Sequence, residues 1–165
     1  MPLKQEKEYN MSILEYYLQS KDTFRLLGSG AEGEARLINQ KLVAKFYCRR
    51  DYRKSETILN RLLYTRKYVE EIMFKRFPSL THFISMPELA GYVIEDEGLL
   101  IFTEYIKDDK HIDCLKCEYL LGLSDMLNKP KYGLCDTTYY IGNVKIKDHK
   151  LYLIDVHAET EYDII

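Results

Sequence analysis

Three groups of residues in this sequence have types and spacing that could do chemistry. The first is Gly28-Ser29-Gly30-Ala31-Glu32-Gly33, a GxGxxG string. Glycines let backbone N–H groups approach phosphate oxygens closely, but in dinucleotide-binding folds the third glycine of such a string opens a helix. Here Glu34-Ala35-Arg36-Leu37-Ile38 alternates and runs into a turn, so the glycines are expected at the tip of a β-hairpin. The second is Lys45, in the apolar run Val43-Ala44-Lys45. Strand alternation places Val43 and Lys45 on one face, opposite Ala44. A lysine buried there needs an anionic partner, which phosphate oxygens or a helix carboxylate would supply; on an edge strand it would face solvent. The third is His111, Cys114 and Cys117. A tetrahedral zinc site needs a fourth ligand and no second CxxC pair supplies one, so two small residues on a helix is the better reading.

Positioning these residues requires a mixed set of elements. Residues 11–20 read as a short helix with Ser12 and Glu15 as a capping box and Ile13, Tyr16, Tyr17 and Leu18 as its apolar face. Strands are expected at Phe24–Leu27, Glu34–Ile38 and Leu42–Tyr47, with a tight turn at Asn39-Gln40. From about Asp51 the period becomes helical through Ile58, Leu59, Leu62, Leu63, Val69, Ile72 and Met73, giving one long helix or two that end before Pro78. Residues 90–94 and 99–105 read as a hairpin across Glu95-Asp96-Glu97-Gly98. A helix over Cys117–Leu127 stops before Pro130, and a last hairpin joins Val144–Ile146 to Leu151–Ile154 through Asp148-His149.

With 165 residues, 46% of them apolar, the chain suits one packed domain. A net charge of −2 with mixed signs gives no electrostatic case for nucleic acid or an anionic membrane; Arg49-Arg50 and Arg53-Lys54 read as a solvated loop and helix start. The polar start, Met1–Asn10, has no apolar segment behind it, and no run is long enough to span a bilayer. A soluble, cytoplasmic protein with reduced cysteines is expected.

In this order, the motifs make the chain resemble the protein-kinase superfamily, over about residues 24–157. The glycine hairpin, the V-A-x-K-type lysine and a following helix with a glutamate are that family's N-terminal pattern. The resemblance implies that Gly28, Gly30 and Gly33 lie over the phosphates of ATP, that Lys45 contacts those phosphates, and that Glu56 pairs with Lys45, with Glu70 or Glu71 as substitutes. Leu99–Ile106 looks like a fifth strand and hinge, with Thr103 as gatekeeper and the backbone from Glu104 to Ile106 against adenine. Near the C-terminus, Gly133-Leu-Cys-Asp136-Thr-Thr138-Tyr-Tyr-Ile-Gly142-Asn143 and Leu151-Tyr-Leu-Ile-Asp155 resemble the catalytic loop and metal motif of small, atypical kinases. Asn143 and Asp155 then match the Mg2+ ligands, hard oxygen donors of the kind the ion requires.

Two positions depart from the family. Val156-His157 replaces the glycine-phenylalanine context after the metal aspartate. Aligned without gaps, Thr138 takes the catalytic aspartate position and Asp136 falls where the family has histidine. Either the loop bulges and Asp136 is the base, or the base is missing. The expectation is therefore an α+β, two-lobed kinase-like fold in a single domain, residues 1–165. An N-lobe of residues 20–106 would hold a five-stranded antiparallel sheet and a long helix; a truncated C-lobe would span 107–165, after a charged linker at Lys107–Lys110. The implied function is a minimal Ser/Thr protein kinase using ATP and magnesium on a protein substrate, its small size resembling the minimal kinases of viruses and bacterial effectors that act in a host cytoplasm. A pseudokinase that holds nucleotide or a regulatory protein is the alternative, and phosphorylation of a small molecule, as in the related sugar and antibiotic kinases, is a third reading.

Overall fold

The computed structural model describes residues 11–30, 33–48, 55–108, 115–137 and 143–158. They form a mixed α+β structure of two compact units. The first takes the described residues up to Glu56 together with Leu89–Tyr105; the second takes Thr57–Glu88 and the described residues from Ile106 onward.

The first unit contains α1 (Ile13–Ser20) and five strands: β1 (Arg25–Ser29), β2 (Glu34–Asn39), β3 (Leu42–Cys48), β5 (Leu89–Glu95) and β6 (Gly98–Glu104). They pair antiparallel in the order β1-β2-β3-β6-β5. Opposite residues in register share a face. Ala44 and Phe46 therefore lie with Phe102 and Leu100 on one side, and Val43 and Lys45 with Thr103 and Ile101 on the other.

The Ala44 face is covered by α1, through buried Leu14 and Tyr17 with half-buried Leu18. This corrects the expected helix face: Ile13 and Tyr16 are 60% and 64% exposed. The tertiary core selects the stripe of positions 14, 17 and 18, which a short helix with apolar residues on two sides leaves undecided. The helix start follows the expected cap. Ser12 Oγ accepts the Glu15 N–H at 3.0 Å and donates to the Glu95 carboxylate at 2.9 Å, tying α1 to β5.

An ion pair fastens the other end of α1. Arg36 Nε donates to Glu34 Oε1 at 3.1 Å, while Nη1 donates to the carbonyls of Lys21 and Phe24 at 3.1 and 3.0 Å. These carbonyls flank the 3₁₀ turn Lys21–Thr23 that leads from α1 into β1. Beside the pair, burial pushes the Tyr17 hydroxyl up to about 12.

The second unit is built on α2 (Ser55–Tyr68), which begins at the unit boundary and continues through a π-helical turn, Val69–Met73, into a last α-helical turn, Phe74–Arg76. The Phe74 N–H donates to the Val69 carbonyl, the i→i+5 bond of a π turn. The wider turn buries Val69 and Met73 completely and leaves Ile72, expected on the apolar face, 43% exposed.

After a 3₁₀ turn, Pro78–His82, come β4 (Ile84–Ser85), α3 (Leu115–Leu127), β7 (Leu134–Cys135), β8 (Val144–Lys147), β9 (Lys150–Leu153) and β10 (His157–Ala158). The β8–β9 hairpin turns at Asp148 and His149, both with positive φ, and β4 adds to β9 in parallel. β7 and β10 form a separate antiparallel ribbon. Val69, Met73, Leu120, Leu127, Leu151 and Leu153 meet in the core of this unit.

Acid should expose the Arg36–Glu34 pair in a stability measurement. The Arg36 hydrogen bond holds the Glu34 carboxyl below its ordinary value of 4.5. A depressed carboxyl contributes stability that is present above its unfolded pKa and is lost as pH falls through the folded one. Urea unfolding from pH 6 to 3 should show the unfolding free energy dropping below about pH 4.5. Glu34→Gln should flatten that part of the curve; an unchanged slope would remove the pair from the account.

Candidate functional site

The glycine string lies at a hairpin tip, as its context implies. Ser29 pairs with Glu34, and the Gly30 N–H donates to the Gly33 carbonyl at 2.9 Å. Ala31 and Glu32 lie outside the described residues.

The three glycines are not equivalent. A Cβ on Gly33 would fall 2.1 Å from the Phe46 carbonyl oxygen, so the hairpin's own approach to β3 requires glycine there. A Cβ on Gly28 or Gly30 would meet nothing within 4 Å among the described residues. Packing among the described residues gives no reason for glycine at these two positions.

Lys45 is half-buried in the middle of β3, paired with Ala35 on β2 and Ile101 on β6. It therefore stands in the sheet interior and not on an edge strand. Buried Thr103 lies opposite Val43, on the same face as Lys45. Beyond β6, the Tyr105 N–H donates to the Lys41 carbonyl at 2.8 Å. Glu56 sits exposed in the first turn of α2, where a carboxylate complements the helix dipole whatever else it does. Glu70 and Glu71 are exposed on the π turn.

In the second unit the segment Ile106–Asp108 is fastened to β8. Lys145 Nζ donates to the buried Ile106 carbonyl at 3.0 Å, and Asp108 Oδ1 accepts the Ile146 N–H at 3.2 Å. At the open end of the β8–β9 hairpin, the Asn143 carbonyl accepts two N–H groups, from Ile154 at 2.8 Å and Asp155 at 3.0 Å. This bond pair brings Asn143 and Asp155 together through their backbones, and Asp155 is exposed.

The β7–β10 ribbon adds the third residue. Cys135 lies opposite His157, so Asp136 follows the end of β7 where β10 begins, and β10 begins two residues after Asp155. Asp136 is exposed and takes a left-handed φ of 62°, which turns the chain sharply as it leaves β7. Thr137 then points inward and is fully buried. Its hydroxyl proton is shared between the Ser124 carbonyl at 2.9 Å and Asn128 Oδ1 at 2.7 Å, and its N–H reaches the same Oδ1 at 3.1 Å.

Thr137 and Asn128 thus anchor the loop to the end of α3. Sequence reasoning passed them over, because a buried threonine looks like any other polar loop residue until its partners are known. Thr138 lies outside the described residues, as do His111 and Cys114; Cys117 is buried on α3. Among the described residues no group of three or more His, Cys, Asp or Glu could hold a metal ion. An aspartate and an asparagine still fit magnesium, which takes few protein oxygens and completes its shell with phosphate and water.

No family model matches the sequence, and no curated protein matches it. Among solved structures, the chain is similar to the Legionella pneumophila Lpg2603 kinase bound to IP6, with a TM-score of 0.50 and 13% identity. The fold is kinase-like. The alignment covers 85% of this chain and 52% of that one, so this chain spans about half the length of that kinase. Weaker similarity extends to APH(2")-IIa in its ternary complex with streptomycin and ATP, with a TM-score of 0.41 at 13% identity. These figures cover 92% of this chain and 74% of that one. Among the described residues no helix is long and apolar enough to cross a membrane.

The difference between the glycines predicts two melting curves. Gly33→Ala forces a backbone shift against β3 and should destabilise the protein by about 1–3 kcal/mol. Gly30→Ala should stay within about 0.5 kcal/mol of wild type. Equal losses at both positions would mean that the hairpin tip is built otherwise.

Proposed function

We propose that this chain is a phosphotransferase that moves the γ-phosphoryl group of ATP to a Ser or Thr hydroxyl of a protein. What supports this reading is the doubly bonded Asn143 carbonyl, which holds Asn143 against the backbone of Asp155, two residues before the strand that pairs with β7 and its following Asp136. A kinase-like fold whose chain carries these three residue types on and beside these short strands has the groups phosphoryl transfer needs.

In this reading Asn143 and Asp155 would hold magnesium, which would supply positive charge against the phosphate oxygens. Lys45 serves the same phosphates from β3. The bare backbone at Gly28 and Gly30 supports a role for the hairpin tip over a ligand, since nothing in the packing of the described residues calls for glycine there. The backbone from Glu104 to Ile106 serves adenine, beside gatekeeper Thr103, and Glu56 is the acidic partner of Lys45. Asp136 accepts the hydroxyl proton as the oxygen attacks phosphorus; the bond from phosphorus to the β-bridging oxygen breaks, and ADP leaves. The cost of a tightly turned aspartate is consistent with a residue held for function rather than for packing.

The pseudokinase reading rests on the ungapped register, which assigns the base position to Thr138. One set of variants separates the two. Calorimetry should show magnesium-ATP binding by wild type, weakened by about 1–3 kcal/mol in Lys45→Ala. Wild type without nucleotide affinity would overturn the enzyme reading.

With labelled ATP and a panel of protein substrates, Asp136→Asn should abolish transfer while leaving ATP affinity nearly unchanged, because the base acts in the transition state. Transfer that survives Asp136→Asn would refute the base assignment. A silent wild type that gains transfer with Thr138→Asp would establish the pseudokinase.

A further inference from the structure

The β7–β10 ribbon has two residues in each strand, too few to hold its own register. Its position is set from α2. Thr65, a polar side chain only 2% exposed, accepts the Ala158 N–H on Oγ1 at 3.0 Å. Its own proton goes back to the Arg61 carbonyl at 2.9 Å, which leaves a lone pair directed at β10.

One turn further along α2, Tyr68 Oη donates to the Tyr132 carbonyl at 2.7 Å, where the chain enters β7. Gly133 follows with φ 67°, and a Cβ there would fall 2.3 Å from the Tyr68 hydroxyl oxygen. Both strands of the ribbon are therefore gripped from the same helix, one by each residue. Thr65 and Tyr68 are three apart and share a helix face.

The grips lie close to the two aspartates of the site. Ala158 is three residues after Asp155, and Tyr132 is four before Asp136. The geometry points to Thr65 and Tyr68 as positioning residues: α2 brackets the β7–β10 ribbon through these two hydrogen bonds and thereby fixes Asp136 and Asp155 relative to Asn143. This rests on the phosphotransferase reading for its consequence in binding, and on the bonds alone for its consequence in structure. A movement of α2 then carries both aspartates with it.

Removing the Thr65 hydroxyl at constant shape leaves the Ala158 N–H buried without an acceptor. In full-length Thr65→Val, amide hydrogen exchange read by NMR should quicken on the order of tenfold or more at Ala158. It should quicken also at Asp155, whose N–H bonds Asn143. Magnesium-ATP affinity should fall about 10–100-fold, the usual effect of losing a group that orients a metal ligand. Thr65→Ser should restore all three.

If Thr65→Val does not fold, Tyr68→Phe carries the test, with exchange quickened at Gly133–Cys135 and at Asp155. Quickened exchange confined to Ala158, or to Gly133–Cys135 in the second variant, with Asp155 unchanged would overturn the bracket. A lowered melting temperature with unaltered magnesium-ATP affinity would overturn it too, showing a purely structural role. Wild type that binds no magnesium-ATP defeats the phosphotransferase reading by itself; exchange at Asp155 then still decides the bracket.

Discussion

A single backbone carbonyl, that of Asn143, accepts hydrogen bonds from two successive N–H groups, and the arrangement of the candidate site depends on it. It closes the β8–β9 hairpin at the end where the chain leaves for β10. Because the carbonyl belongs to one candidate ligand and one of its donors belongs to the other, the two residues stay adjacent through their backbones while the hairpin is intact. The acceptor has two lone pairs and uses both. The site is thus coupled to the folding of a hairpin with four residues in each strand, whose inner face is buried through Val144, Ile146, Leu151 and Leu153.

The first unit solves a different problem with similar economy. A five-stranded sheet has two faces to cover, and a helix of eight residues is a small lid. Leu14 and Tyr17 supply its apolar contact. The polar work is done at its two ends, by Ser12 on Glu95 and by Arg36 on the carbonyls of the 3₁₀ turn. Arg36 can do this because it stands on the α1 side of β2, opposite Ala44 and away from Lys45. The sheet therefore keeps its structural ion pair and its candidate binding lysine on opposite faces.

Much of this was legible in the sequence, for a physical reason in each case. Alternation around Lys45 gave its face, because β3 is long and flanked on both sides. The hairpin use of the glycines followed from the strand after Gly33. The helix over Cys117–Leu127 and the turn at Asp148-His149 were marked by period and by turn residues. The strands β4, β7 and β10 have two residues each and carry no period to detect. Thr65 was in principle visible as a polar residue at a core phase of a long helix, but only the Ala158 N–H explains it. The face of α1 was misjudged because its apolar residues surround it.

The π turn at Val69–Met73 bears on how the chain can be compared with others. A step of four residues in an α-helix overshoots a full turn by about 40°, so successive core positions drift around the helix. Thr65, Val69 and Met73 follow such steps, and the wider turn brings Met73 back toward the phase of the first two. The turn behaves as one residue inserted into an otherwise regular helix. Any comparison that forbids gaps within helices will therefore be out of register by one residue on one side of it. Glu56 and Thr65 lie on one side of that break, and Asp136, Asn143 and Asp155 on the other.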